Sequence, residues 1–350
     1  MKSHSDNRWP EYTVPELFEK LPVGKRYEQK SVFPKGNVPV IDQGRSGVIG
    51  YHNEEPGVRA SEQNPIVTFA NHTCQISLQT RDFSVIQNVF PLKARAGFDI
   101  CFLYFLTKDS IHFSEYKGHW PDFERLKFQV PPIEVQIKIA KILGDLDRKI
   151  ELNRRMNETL EQIGQRLLKH YFLENPEREN WDNRTLGEFF PIRTGKKDAN
   201  FSTPDGQYPF FTCSQNSLKA PDYSFDGAAI LLAGNGDFNI KFYRGKFEAY
   251  QRTYVLIPHN EKFLGLLYFL MSQYLSEITG GSRGSVIKFI TKGMIEDYIV
   301  KLPDDEQLSE VSGQFNKLTI AIEKNRAQIK TLETIRDTLL PKLMDGSIEI

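Results

Sequence analysis

Between residues 131 and 173 apolar side chains recur at gaps of three and four: Ile139, Leu143, Leu146 and Ile150, then Asn153 and Asn157, then Leu160, Gly164, Leu167 and Tyr171. Such spacing predicts a long helix with one buried seam. The spacing returns near the end of the chain, through Leu308, Val311, Phe315, Leu318, Ile322, Asn325, Ile329, Leu332, Arg336, Leu339 and Leu343. The chain writes its longest pattern twice.

The repeat is in register at an offset of about 172 residues, so whole domains are duplicated and this is no solenoid period. Leu143 answers to Phe315, Ile150 to Ile322, Asn153 to Asn325 and Leu167 to Leu339. Upstream, Trp9, Glu16 and Phe18 answer to Trp181, Glu188 and Phe190, and Gly24-Lys25 to Gly195-Lys196 with a slip of one residue. DICFLYFLTKDS echoes FLGLLYFLMSQY at a shorter offset. The predicted order is globular, helix, globular, helix.

Within the first globular part the runs VPVIDQG, PIVTFA, CQISLQT and FSVIQNVFPLKA are rich in β-branched and aromatic residues and are punctuated by Gly, Pro and Asn. They predict a strongly bent sheet. Residues 100–106 read as the apolar face of a helix, and PDFERLK as a solvated turn before a short closing strand. In the second part YPFFTCSQ, GAAILLAG, NIKFYRG and FEAYQRTYVLIP are the candidate strands, and FLGLLYFLMSQYLSEI the helix. Pro131 and Pro132 suit the start of the first long helix, which at 1.5 Å per residue reaches about 60 Å. On its seam Gly164 reads as a gap, while Asn153 and Asn325 are polar positions able to fix register at some cost in stability.

Composition narrows the class. A chain of 350 residues supplies two units each large enough for a core of its own. The 45 Lys and Arg balance the 45 Asp and Glu, which argues against a strongly basic tail but leaves room for a local basic face. Cys74, Cys101 and Cys213 are too far apart for a CxxC metal site or a disulfide framework, and the seven histidines form no HxxxH or HExxH pair. The sequence has no GxxxxGK[ST] loop, no GxGxxG after a strand and no Asn/Asp-Pro-Pro-aromatic signature; VPPI lacks both the polar lead residue and the aromatic. The expectation is a chain that is not an enzyme and binds no cofactor or metal. The start, MKSHSDNRWPEY, has no apolar core of a signal peptide, and no apolar run is long enough for a membrane span, so a cytoplasmic protein is expected.

Three helical features in combination carry a resemblance. They are the P-x-x-x-Q openings (Pro132 and Gln136; Pro303 and Gln307), the Asn-to-Leu spacing of seven (Asn153 to Leu160; Asn325 to Leu332), and the double Leu before a basic end (Leu167, Leu168, Lys169; Leu339, Leu340, Lys342). Over essentially its whole length the chain resembles the DNA-specificity subunit of type I restriction-modification enzymes. The resemblance implies an α+β fold: two mixed α/β target-recognition domains, residues 1–130 and 176–302, separated by an antiparallel coiled coil of two long helices, residues 131–175 and 303–350, in a pseudo-twofold internal repeat. It implies that each domain reads one half of a bipartite double-stranded DNA site and that the helices scaffold two methyltransferase subunits, which restriction subunits join. S-adenosylmethionine, ATP and Mg would be used by those partners. The alternative from the residues alone is a non-catalytic coiled-coil scaffold with two ligand-binding modules.

DNA contact calls for Lys and Arg on phosphates and for Arg, Gln, Asn and Ser on base edges. In the first domain Gly-containing loops offer Lys25, Arg26 and Lys30, then Gln43, Arg45, Ser46 and Tyr51. The second offers Arg193, Lys196 and Lys197; Ser214, Gln215, Asn216 and Lys219; Arg244 and Lys246; and Arg283, Ser285 and Lys288. With zero net charge, much of the phosphate contact is expected to come from partner subunits.

Overall fold

The computed structural model describes residues 9–44, 47–115, 117–236, 238–280, 289–348 and 350. In chain order the first elements are β1 (Glu11–Thr13), α1 (Val14–Leu17), β2 (Phe18–Lys20), β3 (Arg26–Tyr27), β4 (Val38–Ile41), β5 (Val48–His52), β6 (Ile66–Ala70), β7 (Ile76–Gln79), β8 (Ser84–Ile86), β9 (Val89–Ala94), α2 (Ile100–Thr107), α3 (Trp120–Glu124), β10 (Lys127–Gln129) and the long α4 (Ile133–Leu168). Then follow β11 (Asp182–Thr185), β12 (Ile192–Thr194), β13 (Tyr208–Phe211), β14 (Leu218–Ala220), β15 (Phe225–Ala233), β16 (Ile240–Ala249), β17 (Thr253–Leu256), α5 (Leu264–Gln273), α6 (Leu275–Ile278), α7 (Lys292–Glu296), β18 (Ile299–Leu302) and α8 (Asp305–Met344).

The compact units do not follow the helix ends. One comprises Met1–Glu151 with Lys330–Ile350, the other Leu152–Ile329, so each long helix contributes one stretch to each unit. The physical reason is burial: each globular part completes its core with apolar residues of both helices.

In the first unit the strands form two four-stranded sheets, ordered β2-β9-β6-β7 and β3-β8-β4-β5, and a separate β1-β10 pair, instead of one bent sheet. The run FSVIQNVFPLKA is divided between them because Asn88 turns the chain with φ 67°. Leu17, Val67, Phe69, Leu92, Phe102 and Leu103 share one core with Ile139 and Leu143 of α4 and Leu343 of α8. The helix stretches run antiparallel here, with Lys138 Nζ 3.3 Å from the Ile350 carbonyl and Asp147 accepting from Arg336 at 2.7 Å. PDFERLK is no solvated turn: it lies mostly in α3, where Phe123 is fully buried and stacks on Phe69 at 4.6 Å.

The P-x-x-x-Q motif also splits. Gln136 is buried, accepts the Asp99 N–H at 2.8 Å and donates to the Pro131 carbonyl at 2.8 Å, which ties the start of α2 to α4. Gln307 is exposed, and Asn316 ties down α5 instead, accepting the Gly265 N–H at 2.9 Å.

The second unit is built on a six-stranded sheet, β12-β17-β15-β16-β13-β14. NIKFYRG and the start of FEAYQRTYVLIP fuse into the single strand β16, because Gly245 stays paired with Gly227. Alternation along β15 sends Ile230 and Leu232 to the helical core and Ala229 and Leu231 to a smaller core with Phe211 and Phe247. The capping box of the first unit, Thr13 with Glu16, recurs as Thr185 with Glu188 at the predicted offset.

On the long helices Asn153 donates to Gln328 at 2.9 Å and Asn325 to Asn157 at 2.9 Å, again antiparallel. The two seam asparagines are thus not opposite each other, and each has its own partner about one turn away.

Gly164 is not a gap. A Cβ there would lie 2.2 Å from the Phe269 ring, so the missing side chain is the slot that α5 fills. A Cβ on Gly265 of α5 would in turn lie 2.6 Å from the Phe315 backbone. Gly164→Ala should therefore destabilise by about 1–3 kcal/mol through overpacking. Gly144→Ala, in the same helix with nothing within 4 Å, should stabilise by about 0.5–1 kcal/mol. Urea midpoints of the two variants check this, and equal shifts would contradict it.

Candidate nucleic-acid interface

In the first unit the loop residues gather at β3 and β5. Lys25 Nζ donates to both Glu54 oxygens at 2.9 Å and lies 5.0 Å from the Tyr27 ring. The Tyr27 hydroxyl donates to Glu54 at 2.8 Å, and its ring stacks on His52 at 4.2 Å. Arg26 is exposed on β3, and Lys30 pairs with Glu28 at 2.9 Å. Gln43 braces a loop by accepting the His72 N–H at 2.8 Å. Tyr51 is half-buried on β5 and exchanges backbone hydrogen bonds with Phe33, a residue 62% exposed. Arg45 and Ser46 lie outside the described residues.

The groups beneath this surface are tuned by their neighbours. The Lys25 ammonium, with the Tyr27 hydroxyl, holds the Glu54 carboxyl below the usual carboxylate range. Burial, reinforced by Glu54, pushes Tyr27 up to about 12. Burial pushes His52 down.

His52 Nε2 lies 2.9 Å from Ser84 Oγ, a pairing that in an open cleft would suggest a nucleophile and its base. The hydrogen bonds exclude that. Nδ1 accepts the Glu54 N–H at 3.1 Å, so the proton of the neutral ring sits on Nε2 and is donated to Ser84, which also receives the Gly57 N–H at 2.9 Å. His52 has no free nitrogen for the serine proton, and both side chains are buried. The described residues hold no group of three or more His, Cys, Asp or Glu able to bind a metal.

The second unit brings together residues from separate loops. Arg193 and Lys196 line a cleft of about 510 Å³ with Thr194, Ser224 and Phe225. Next to Ser224, the Tyr223 ring carries Lys246 over it at 4.6 Å and meets Tyr208 at 4.8 Å. Contact with Tyr223 raises the Lys246 pKa. Lys197 lies 4.2 Å from the Phe201 ring. Gln215, Asn216 and Lys219 are exposed, Lys219 on the edge strand β14, and the Ser214 hydroxyl closes its own turn on the Asn216 carbonyl at 2.6 Å. Arg283, Ser285 and Lys288 lie outside the described residues.

Arg244 departs from the expected set. Its guanidinium turns to the scaffold, 2.5 Å from Glu323 and 3.1 Å from Thr319 of α8. In its place stand aromatic residues that the sequence reading passed over, Tyr208, Tyr223 and Phe225. Their signal was basic loops flanked by aromatics, a combination able to hold phosphates and stack on bases.

The sequence profile described as "Type I restriction modification DNA specificity domain" matches the chain twice, over residues 7–162 and 178–333. The chain belongs to that family. It is 40% identical over 173 residues to the type I restriction enzyme EcoDI specificity subunit of Escherichia coli, an alignment covering 48% of this chain and 39% of that protein. It is 25% identical over 278 residues to the MjaIX specificity subunit of Methanocaldococcus jannaschii, covering 68% of this chain and 64% of that one. These two matches thus span less than two thirds of either relative. A putative type I specificity subunit of Mycoplasma genitalium aligns over 100% of this chain and 97% of its own length at 21% identity. The crystal structure of a type I S subunit from M. genitalium shares the fold, with a TM-score of 0.65 at 18% identity over 98% of both chains. No helix among the described residues is long and apolar enough to cross a membrane.

Because burial depresses the His52 pKa, the folded state resists its protonation, and the unfolded chain binds the proton more readily. Stability is therefore full above the ordinary histidine pKa of about 6.5 and falls as pH drops below it. Melting temperatures should decline from pH 7 to 5, and His52→Gln should flatten that slope. An unchanged slope would contradict the buried neutral histidine.

Proposed function

We propose that this chain is the DNA-reading subunit of a type I restriction-modification enzyme. The observation that carries the reading is the double match to the specificity domain, one copy over each half of the chain. In this reading residues 1–130 and 176–302 each recognise one half of a bipartite double-stranded site. Residues 131–175 and 303–350 form an antiparallel coiled coil that spaces them about a pseudo-twofold axis, with Asn153 and Asn325 fixing its register. The antiparallel hydrogen bonds within each unit support this arrangement.

The recognition surfaces would be the Lys25, Arg26 and Tyr51 face of the first domain and the Arg193, Lys196, Tyr223 and Lys246 face of the second. Lysine and arginine there would hold phosphates, while aromatic and amide side chains would meet bases. Two methyltransferase subunits would bind the helices, restriction subunits would join them in the cytoplasm, and S-adenosylmethionine, ATP and Mg would serve those partners. The chain itself would perform no chemistry.

A helical spacer acts as a ruler. One heptad inserted in each long helix, at 151/152 and at 329/330, adds about 10 Å, the rise of about three base pairs. The complex should keep both half-sites and widen the unread gap by about three base pairs, as read by binding to duplexes of graded gap length. Retention of the original gap would contradict the ruler.

A further inference from the structure

One face of α8 is polar where a long packed helix would ordinarily be apolar. Asn316, Thr319, Glu323 and Arg326 follow one another at helical spacing, and every one is engaged by the globular part of the second unit. Asn316 accepts from Gly265 and donates to the Lys262 carbonyl at 2.8 Å. Arg326 lies 4.7 Å from the Phe242 ring and 3.8 Å from Glu161, which accepts the Tyr268 hydroxyl at 2.9 Å. Between them, Arg244 spans Glu323 and Thr319 and lies 3.6 Å from Glu261.

Apolar contacts are non-directional and tolerate small displacements along a helix, whereas a planar guanidinium holding two partners does not. The Arg244 and Glu323 side chains are only 21% and 24% exposed, and Glu323 Oε1 is buried with no hydrogen-bond partner among the described residues. The Glu323 charge thus depends on Arg244. On the same strand Lys246 sits two residues further on, beyond the facing pair Gly227 and Gly245, whose φ values are 141° and 122° and across which the β15–β16 pairing continues without a register shift. Past this glycine pair Phe225 stacks on Phe247 at 5.3 Å and Lys246 covers Tyr223.

We infer that Arg244 is a positioning residue that fixes where along α8 the β15–β16 ribbon sits, and so fixes the placement of the Lys246–Tyr223 surface relative to the helix. The inference rests on the proposed function and deepens it. Arg244 would set the tolerance of the complex for gap length without touching DNA.

The test uses the full chain assembled with a methyltransferase partner and duplexes whose two half-sites are separated by the preferred gap or by one base pair more or less. Arg244→Met should lower the discrimination between preferred and altered gaps by roughly tenfold while leaving the half-site sequence preference intact. Arg244→Lys, which keeps a charge opposite Glu323 but not the fork, should fall between. The double variant Arg244→Met with Glu323→Met removes both charges and leaves no buried ion alone, so it decides the matter if the single variant folds poorly. Relaxed gap selectivity in a stable double variant supports positioning. A gap profile parallel to wild type in both variants, or one that recovers with stability in the double variant, overturns it. A wild-type complex that retains duplex but shows no gap preference overturns this inference together with the ruler. A wild-type complex that retains no duplex overturns the proposed function itself, and the inference with it.

Discussion

The structure depends on how two long helices avoid exposing their apolar seams. Neither could stand alone with Leu, Ile and Phe on one side, and each stretch is stabilised by serving as part of a globular core. In the second unit that dependence is sharpest at two glycine contacts. Phe269 enters the space over Gly164 while Gly265 brings α5 against the backbone at Phe315. Three elements distant in sequence approach closely through two missing side chains, one facing a ring and one facing backbone, and the six-stranded sheet packs on what they form. In the first unit the same task falls to Phe102, Leu103, Ile139, Leu143 and Leu343.

Polar groups supply the position that burial leaves open. Gln136 ties α2 to α4, Asn316 ties α5 to α8, and the Asn153–Gln328 and Asn157–Asn325 pairs join the helix stretches by side-chain hydrogen bonds. All of these amides but the exposed Gln328 are buried or half-buried, and their hydrogen bonds would be lost by a slip of one turn. This division of labour suits a protein whose function is geometric. In the proposed function, a reader of a split site would need two surfaces at a fixed distance.

Much of this was legible in the sequence. The heptad spacing runs through the stretches that α4 and α8 occupy, and the repeat of Trp9, Glu16 and Phe18 includes the glutamates, Glu16 and Glu188, that close the two capping boxes. Periodicity states which face is buried but not what fills it, which is why Gly164 read as a gap when its occupant lies 105 residues away in Phe269. Arginine chemistry suits a phosphate and a carboxylate equally, so the sequence alone could not show that Arg244 pairs with Glu323. Gln307 matched Gln136 in spacing and not in environment. The aromatic partners of the basic loops escaped notice because Tyr208 and Tyr223 meet only across strands that the fold brings together.

The central claim is that this chain chooses a bipartite DNA sequence for a modifying enzyme. Its most direct test is single-molecule sequencing of methylated bases in host DNA with the chain present and deleted. A split methylated motif that disappears on deletion and returns with the intact chain is the predicted result. A methylation pattern unchanged by deletion would contradict the account.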